Sequence, residues 1–220
     1  MAFLTFDLFS ALIDSWTGAS AALARIGRGR GWPVAAEAVY DAWDARNKAS
    51  QKATVEWVAF AEHCRRSLAD TYRVLDLAGD PDADVTRLLA SLPDWPLWPD
   101  VAEALTALRP NHRLGVLSNV DDDLFARTRV APFMDPDDVL TSQRLRAYKP
   151  HPELYRRAVT AGVDVHVPAS ARDTRGALEA GMAVVRVRRP GHSVDPAGPQ
   201  PEVEVDDLSQ LPSALRRLSR

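Results

Sequence analysis

Short, unbroken apolar runs alternate with helical stripes from about residue 100 onward, and this alternation constrains the fold more than any other feature of the chain. Five runs of β type stand out: Phe3 to Phe6, Arg113 to Leu117, Val139–Leu140, Val163 to Val167 and Val184 to Val187. A sixth candidate lies around Val203 to Val205. Most lack polar/apolar alternation, as expected of strands covered on both faces in a parallel sheet. Between them, Val101, Ala104, Leu105 and Leu108 follow the i, i+3, i+4, i+7 spacing of a helix, and Pro152 opens another helix carrying Tyr155 and Val159. The pattern predicts an α/β fold built on a doubly wound parallel sheet.

The interval after the first strand is different. Residues 16–93 hold helical stripes and no convincing strand: Ala19, Ala22, Leu23 and Ile26; then Trp57, Phe60, Ala61, Cys64 and Leu68; then Val85, Leu88, Leu89 and Leu92. The expected organisation is a core from residues 1–15 and 94–220 with a helical subdomain inserted at 16–93. Turn formers fall inside the insertion at Gly27 to Gly31 and Pro33, and at its exit at Pro93, Pro96 and Pro99. The Pro- and Gly-rich stretch from Pro190 to Pro201 reads as a surface loop without chemistry, ahead of a C-terminal helix from Leu208 to Leu218.

Composition narrows the function classes. With 220 residues, 46% of them hydrophobic, the chain can bury a sizeable core. A net charge of -3 disfavours a nucleic-acid partner, which calls for a clustered cationic face, and favours a small-molecule substrate. No apolar run approaches the roughly 18 to 20 residues that span a bilayer, and the first residues, Met1 to Asp7, lack a basic region before their apolar stretch. The single cysteine, Cys64, has no disulfide partner, which suits a reducing cytoplasm. The apolar stripes of the insertion could also support a homodimer.

Three apolar runs end in polar clusters. Phe3 to Phe6 runs into Asp7, Gly115–Val116–Leu117 into Ser118–Asn119, and Val165–His166–Val167 into a segment ending at Asp173. Carboxyl ends of parallel strands share one edge, so these clusters can converge despite separations above 100 residues. Lys149, one of only three lysines, follows the Val139–Leu140 run at a loop position that can reach the same edge. The five histidines are scattered without ligand spacing and read as structural or surface groups. Asp173 also suits an N-cap.

This order of motifs resembles the haloacid dehalogenase superfamily of hydrolases over essentially the whole chain, with a Rossmann-like core and with the insertion resembling their cap. The resemblance implies Asp7 as a nucleophile that forms an ester intermediate, hydrolysed afterwards by water. It implies Ser118 and Asn119 as donors to substrate or leaving group, Lys149 as the group that orients Asp7, and Asp173 as the group that positions or deprotonates water. The phosphatase branch has an aspartate two residues after the nucleophile and another at the start of its fourth motif; Phe9 and Pro168 stand there. The dehalogenase branch has an aromatic residue at the first of these places and a tyrosine six residues after the lysine, matched by Phe9 and Tyr155.

The resemblance therefore points to the L-2-haloacid dehalogenase-like branch, with metal-independent attack at carbon of a small organic acid and no cofactor. Three positions depart from that pattern. Ala11 replaces a threonine, Pro168–Ala169–Ser170 leaves only Ser170 to hydrogen-bond near Asp173, and Asp44 stands after Trp43 where the branch carries the arginine that binds substrate carboxylate. Arg46 lies two residues on, turned by about 200° on a helix. Phe9, Tyr155, Ser170, Trp43 and Arg46 are the expected substrate-binding residues, with Trp16, Lys48 and Trp57 as further candidates for the lining. Two other functions stay open at this point: a small-molecule phosphatase using Mg2+, and a noncatalytic scaffold that binds a metabolite or partner.

Overall fold

The computed structural model describes residues 1–218. Six strands form one sheet: β1 (Phe3–Phe6), β2 (Arg113–Ser118), β3 (Val139–Thr141), β4 (Val165–Val167), β5 (Ala183–Val187) and β6 (Val203–Val205). Their order is β3-β2-β1-β4-β5-β6 and every pairing is parallel. The chain steps outward from β1 through β2 to β3 and then returns to the other side of β1 for β4. The order reverses beside β1, and a crevice opens where its carboxyl end meets that of β4. β1 is buried along its whole length, which is why its residues show no alternation.

The helices that cover the sheet are α5 (Val101–Leu108), α6 (Asp122–Ala126), α7 (Ser142–Leu145), α8 (Pro152–Thr160), α9 (Ala171–Glu179) and α10 (Leu211–Leu218). The inserted helices are α1 (Ser15–Arg30), α2 (Ala36–Ala53), α3 (Phe60–Leu75) and α4 (Pro81–Ala90). The insertion packs α1 on α2, α2 on α3 and α3 on α4. Its apolar stripes face inward: Ala19, Leu23, Cys64, Leu68 and Leu88 are buried within one chain. Both linkers to the core are tied together. Ile13 and Leu97 form an antiparallel bridge, the Asp14 amide donates to Pro96 O and the Trp98 amide to Leu12 O. The buried Arg189 clamps this junction, donating to Ala11 O and pairing with Asp100 at 2.7 Å.

Several boundaries differ from the sequence expectation. Val163 and Asp164 precede β4, and Trp57 precedes α3 instead of sharing its stripe. Gly27 to Arg30 belong to α1, because Gly31 alone, at φ 69°, makes the left-handed turn that ends the helix. Leu92 lies in a short 3-10 turn after α4, and Leu208 in another before α10. α2 carried no visible stripe for a physical reason. Its buried face is Val39, Tyr40, Trp43, Asn47 and Gln51, apolar or aromatic at one end and amide at the other.

Candidate active site

Asp7 directly follows β1 and caps a single π turn, Leu8–Leu12. Its Oδ2 accepts from the Ser10 amide at 3.1 Å and the Ser10 hydroxyl at 2.5 Å. Its Oδ1 accepts from Lys149 Nζ at 3.0 Å and Ser118 Oγ at 3.1 Å. Both oxygens are thereby fixed while the carboxylate stays at the cleft surface. Burial pushes the Asp7 carboxyl up, but the Lys149 ammonium and the bonds from Ser10 and Lys149 outweigh it and hold the group below the usual carboxylate range. Ser10 was absent from the sequence reading; its signal is the three-residue spacing from Asp7 that lets a short side chain cap the following turn.

Lys149 is 2% exposed and bridges two acids, since Nζ also lies 2.5 Å from Asp173 Oδ2. Asp173 sits in the first turn of α9. The N-cap position of that helix is Ser170, whose side chain makes no capping bond, so Asp173 is not the N-cap. Asp173 has two further partners: Tyr155 Oη donates to Oδ1 at 2.9 Å, and His166 Nε2 bonds Oδ2 at 3.0 Å. Burial raises the Asp173 carboxyl, and Lys149 with His166 more than reverses this, holding it far below its ordinary value. A carboxylate held so low stays ionised and keeps a proton poorly. Its geometry suits orienting Lys149 and water better than storing the water's proton.

His166, expected with the other histidines to be a structural or surface group, is structural and supports Asp173 directly. It is fully buried on β4 in register with Thr5 of β1, and its Nδ1 lies 3.0 Å from the Thr5 hydroxyl. Side chains two apart on a strand share a face, which sets the Thr5–His166 pair one level beneath Asp7. Gly176 completes this layer. A Cβ there would meet Tyr155 Oη at 2.6 Å, so only glycine lets the phenol reach Asp173.

Asn119 is engaged with the lysine loop more than with the cleft. Its Oδ1 accepts from the Lys149 amide at 2.8 Å, and its Nδ2 donates to Lys149 O at 3.1 Å and Gln51 Oε1 at 2.8 Å. Ser118 and Asn119 thus fix Asp7 and Lys149 in place.

A cleft of about 550 Å³ opens in front of Asp7 between core and inserted helices. Phe9, Trp43 and Ser170 line it. Phe9 stacks on Phe60 of α3 at 5.8 Å, and Trp43 is anchored by an indole bond to Cys64 O. Two expected substrate contacts lie elsewhere. Arg46 is absent from the lining and turns its guanidinium back to Ala42 O at 2.7 Å, two residues and about 200° on from Asp44. Tyr155 is fully buried behind Asp173 and also does not line the cleft. Trp16 and Lys48 line it, whereas Trp57 does not.

The walls include groups the sequence did not single out. Asn47 and Gln51 face the cleft from α2, Arg172 from α9, and Gly191 and His192 from the loop read as featureless. That loop is held by Arg186, which donates to His192 O at 2.9 Å and pairs with Glu204. Burial, with Lys48 nearby, pushes His192 down. Asp121, on the core, accepts the Phe60 and Ala61 amides at 2.8 and 3.0 Å and so caps α3 across the boundary.

The profile of the haloacid dehalogenase-like hydrolases matches residues 3–163. The chain belongs to that family of hydrolases, as the strand order and the Asp7–Lys149–Asp173 edge indicate. Among solved structures it is similar to the L-2-haloacid dehalogenase of Xanthobacter autotrophicus, at 22% identity and a TM-score of 0.83, over 98% of this chain and 99% of that one. It is similar to a defluorinating L-2-haloacid dehalogenase at 25% identity and a TM-score of 0.82, over 98% and 95%. It is also similar to the hydrolase YfnB of Bacillus subtilis, solved with magnesium, at 16% identity and a TM-score of 0.75, over 97% and 98%. A search of curated proteins returned no match.

Proposed function

We propose that this hydrolase cleaves a carbon–heteroatom bond of a small organic acid by metal-independent attack of Asp7, as in dehalogenation or a related ring opening. The Lys149 ammonium bridging Asp7 and Asp173 carries this reading. It fixes an ionised nucleophile at the cleft surface with both oxygens already satisfied, so little rearrangement precedes attack. Similarity to the two L-2-haloacid dehalogenases supports it. Residues 1–15 and 94–220 form the proposed hydrolase core and 16–93 the cap.

In the first step Asp7 attacks the carbon bearing the leaving group. The C–O bond forms as the C–X bond breaks, X leaves with the bonding pair, and an ester results. Water, oriented near Asp173, then adds to the Asp7 carbonyl carbon, and the product alcohol departs with one proton of that water. The other proton passes to solvent, so the net change is R–X and water to R–OH, H+ and X−. Conversion of Asp7 into an ester removes its charge, and Asp173 remains as the counter-ion that keeps Lys149 neutralised.

The donor set does not fit magnesium. Phe9 and Pro168 offer no side-chain oxygen, the Pro168 carbonyl is engaged by the Val187 amide, and Lys149 already lies between the two carboxylates. A divalent ion there would meet a buried like charge. Among the described residues no group of three or more His, Cys, Asp or Glu is arranged to hold a metal, and no helix is long and apolar enough to cross a membrane. A reducing cytoplasmic setting is proposed from the buried, unpaired Cys64, whose thiol burial pushes well up. Exclusion of nucleic acid is proposed from the net charge of -3. A homodimer is a matter for light scattering; the stripes invoked for it are consumed inside the cap.

Intact-mass spectrometry tests the function. Wild type incubated with 2-haloacids, strained-ring acids and phosphate esters, with and without magnesium, should form a metal-independent adduct or product from a carbon electrophile. Asp7→Asn should form none. Magnesium-dependent phosphate release would overturn the reading, and ligand binding retained by Asp7→Asn without any wild-type turnover would favour a scaffold.

A further inference from the structure

Among the described residues three lysine or arginine side chains line the cleft, and two of them already have acids. Lys149 is held by Asp7 and Asp173, and Lys48 pairs with Asp44 one turn away on α2. Arg172, in the first turn of α9 and immediately before Asp173, pairs with no carboxylate among the described residues. Its contacts are to neutral oxygens on the opposite wall: Nη1 to Lys48 O at 3.4 Å and Nη2 to Gln51 Oε1 at 3.3 Å. Both exceed the usual N–H···O range, and a guanidinium carries five donors in one planar fork, so most of its bonding capacity is unengaged. Elsewhere in this chain comparable guanidiniums close on acids, as Arg186 does on Glu204 and Arg189 on Asp100.

The surrounding charge sharpens the contrast. Asp14, Asp41 and Asp44 line the cleft in addition to the two catalytic-edge acids. An anion entering this acidic space meets one cation that is not already neutralised. Gln51 Oε1 also accepts from Asn119, which grips the Lys149 backbone on both sides, so Arg172 is coupled through one amide to the loop that presents the catalytic lysine.

We propose that Arg172 is the specificity residue that binds the carboxylate of the substrate, as a two-pronged anchor on the core side of the cleft. The inference rests on the proposed function and narrows it to substrates bearing a free carboxylate beside the reacting carbon. It also explains how a cap with Asp44 after Trp43 can serve an acidic substrate: the anchoring charge comes from α9 of the core, and Asp44 is neutralised by Lys48. The planar fork matches a carboxylate with two parallel N–H···O bonds, which an ammonium cannot reproduce.

The test compares Asp7 alkylation by 2-chloropropionate and by its uncharged amide, followed by intact mass in wild type, Arg172→Met and Arg172→Lys. Thermal melts confirm that each variant is folded. For the acid, Arg172→Met should raise the half-saturating concentration about 10- to 100-fold, the range for losing hydrogen bonds to a charged group. The amide should shift little, and Arg172→Lys should recover part of the loss. Equal shifts for acid and amide, or an unchanged acid, would overturn the anchor. If neither compound alkylates wild type, the proposed function is what fails. The anchor is then read by calorimetry with propionate, where binding that Arg172→Met removes supports it, and binding absent from wild type or equal in both proteins overturns it.

Discussion

The two walls of the cleft are built on opposite principles. On the core wall the acids and lysine at the ends of the strands have partners: Asp7 takes four hydrogen bonds, Asp173 three, and Lys149 bridges them while almost fully buried. On the facing wall the charges are half-exposed, as in the Lys48–Asp44 pair, or replaced by the amides of Asn47 and Gln51. The first arrangement holds the Asp7 carboxylate still, and the charge left for a ligand to answer is also on the core side, at Arg172, while the cap's Lys48–Asp44 pair is already satisfied. Buried charges are tolerated only when paired, whereas charges beside water can wait.

Lysine removal should separate the walls most clearly. Lys149→Met leaves two buried carboxylates without their cation and should cost about 3 to 5 kcal/mol of stability, the range for breaking one side of a buried pair. Urea unfolding measures this, and turnover should vanish with it. A loss no larger than that of a surface lysine would break the comparison.

Acid should act on the same wall. Asp7 and Asp173 are both held below their unfolded values, so their stabilisation is present above about pH 4 and is lost as the pH falls through the depressed folded values. Urea midpoints should therefore decline on the acid side. In Lys149→Met burial dominates instead, and the decline should begin at higher pH. Nucleophile alkylation in wild type should stay flat from about pH 5 to 8 because Asp7 is ionised throughout.

Gly176→Ala sharpens the account of the supporting layer. The added Cβ pushes Tyr155 off Asp173 at a cost of about 1 to 3 kcal/mol, typical of overpacking. Turnover should fall about tenfold, checked by steady-state kinetics alongside a melt. The smallest effect belongs to the cap. Lys48→Met breaks a pair whose lysine is 44% exposed and should change stability by less than about 1 kcal/mol.

The strands were legible because a sheet buried on both faces needs unbroken apolar runs, and Phe3–Phe6 or Val184–Val187 can hardly be anything else. Asp7, Ser118–Asn119 and Asp173 were legible because each follows such a run. The helix α2 was hard to read because two of its five buried residues, Asn47 and Gln51, are amides. Arg46 and Tyr155 were read as substrate contacts from motif spacing alone. Spacing gives the position along an element, while which layer a side chain reaches depends on neighbours such as Gly176 and Ala42.

The sequence by itself determined the doubly wound core, the inserted helices and the acids and lysine that meet at one sheet edge, because hydrophobic period and strand-end polarity are local properties. Only the tertiary structure decided that His166 supports Asp173, that Asn119 grips Lys149, and that Arg172 stands without an acid among the described residues. Those are facts about which groups meet in space whatever their separation along the chain, seven residues for His166 and Asp173 and thirty for Asn119 and Lys149, and no local pattern encodes such distances.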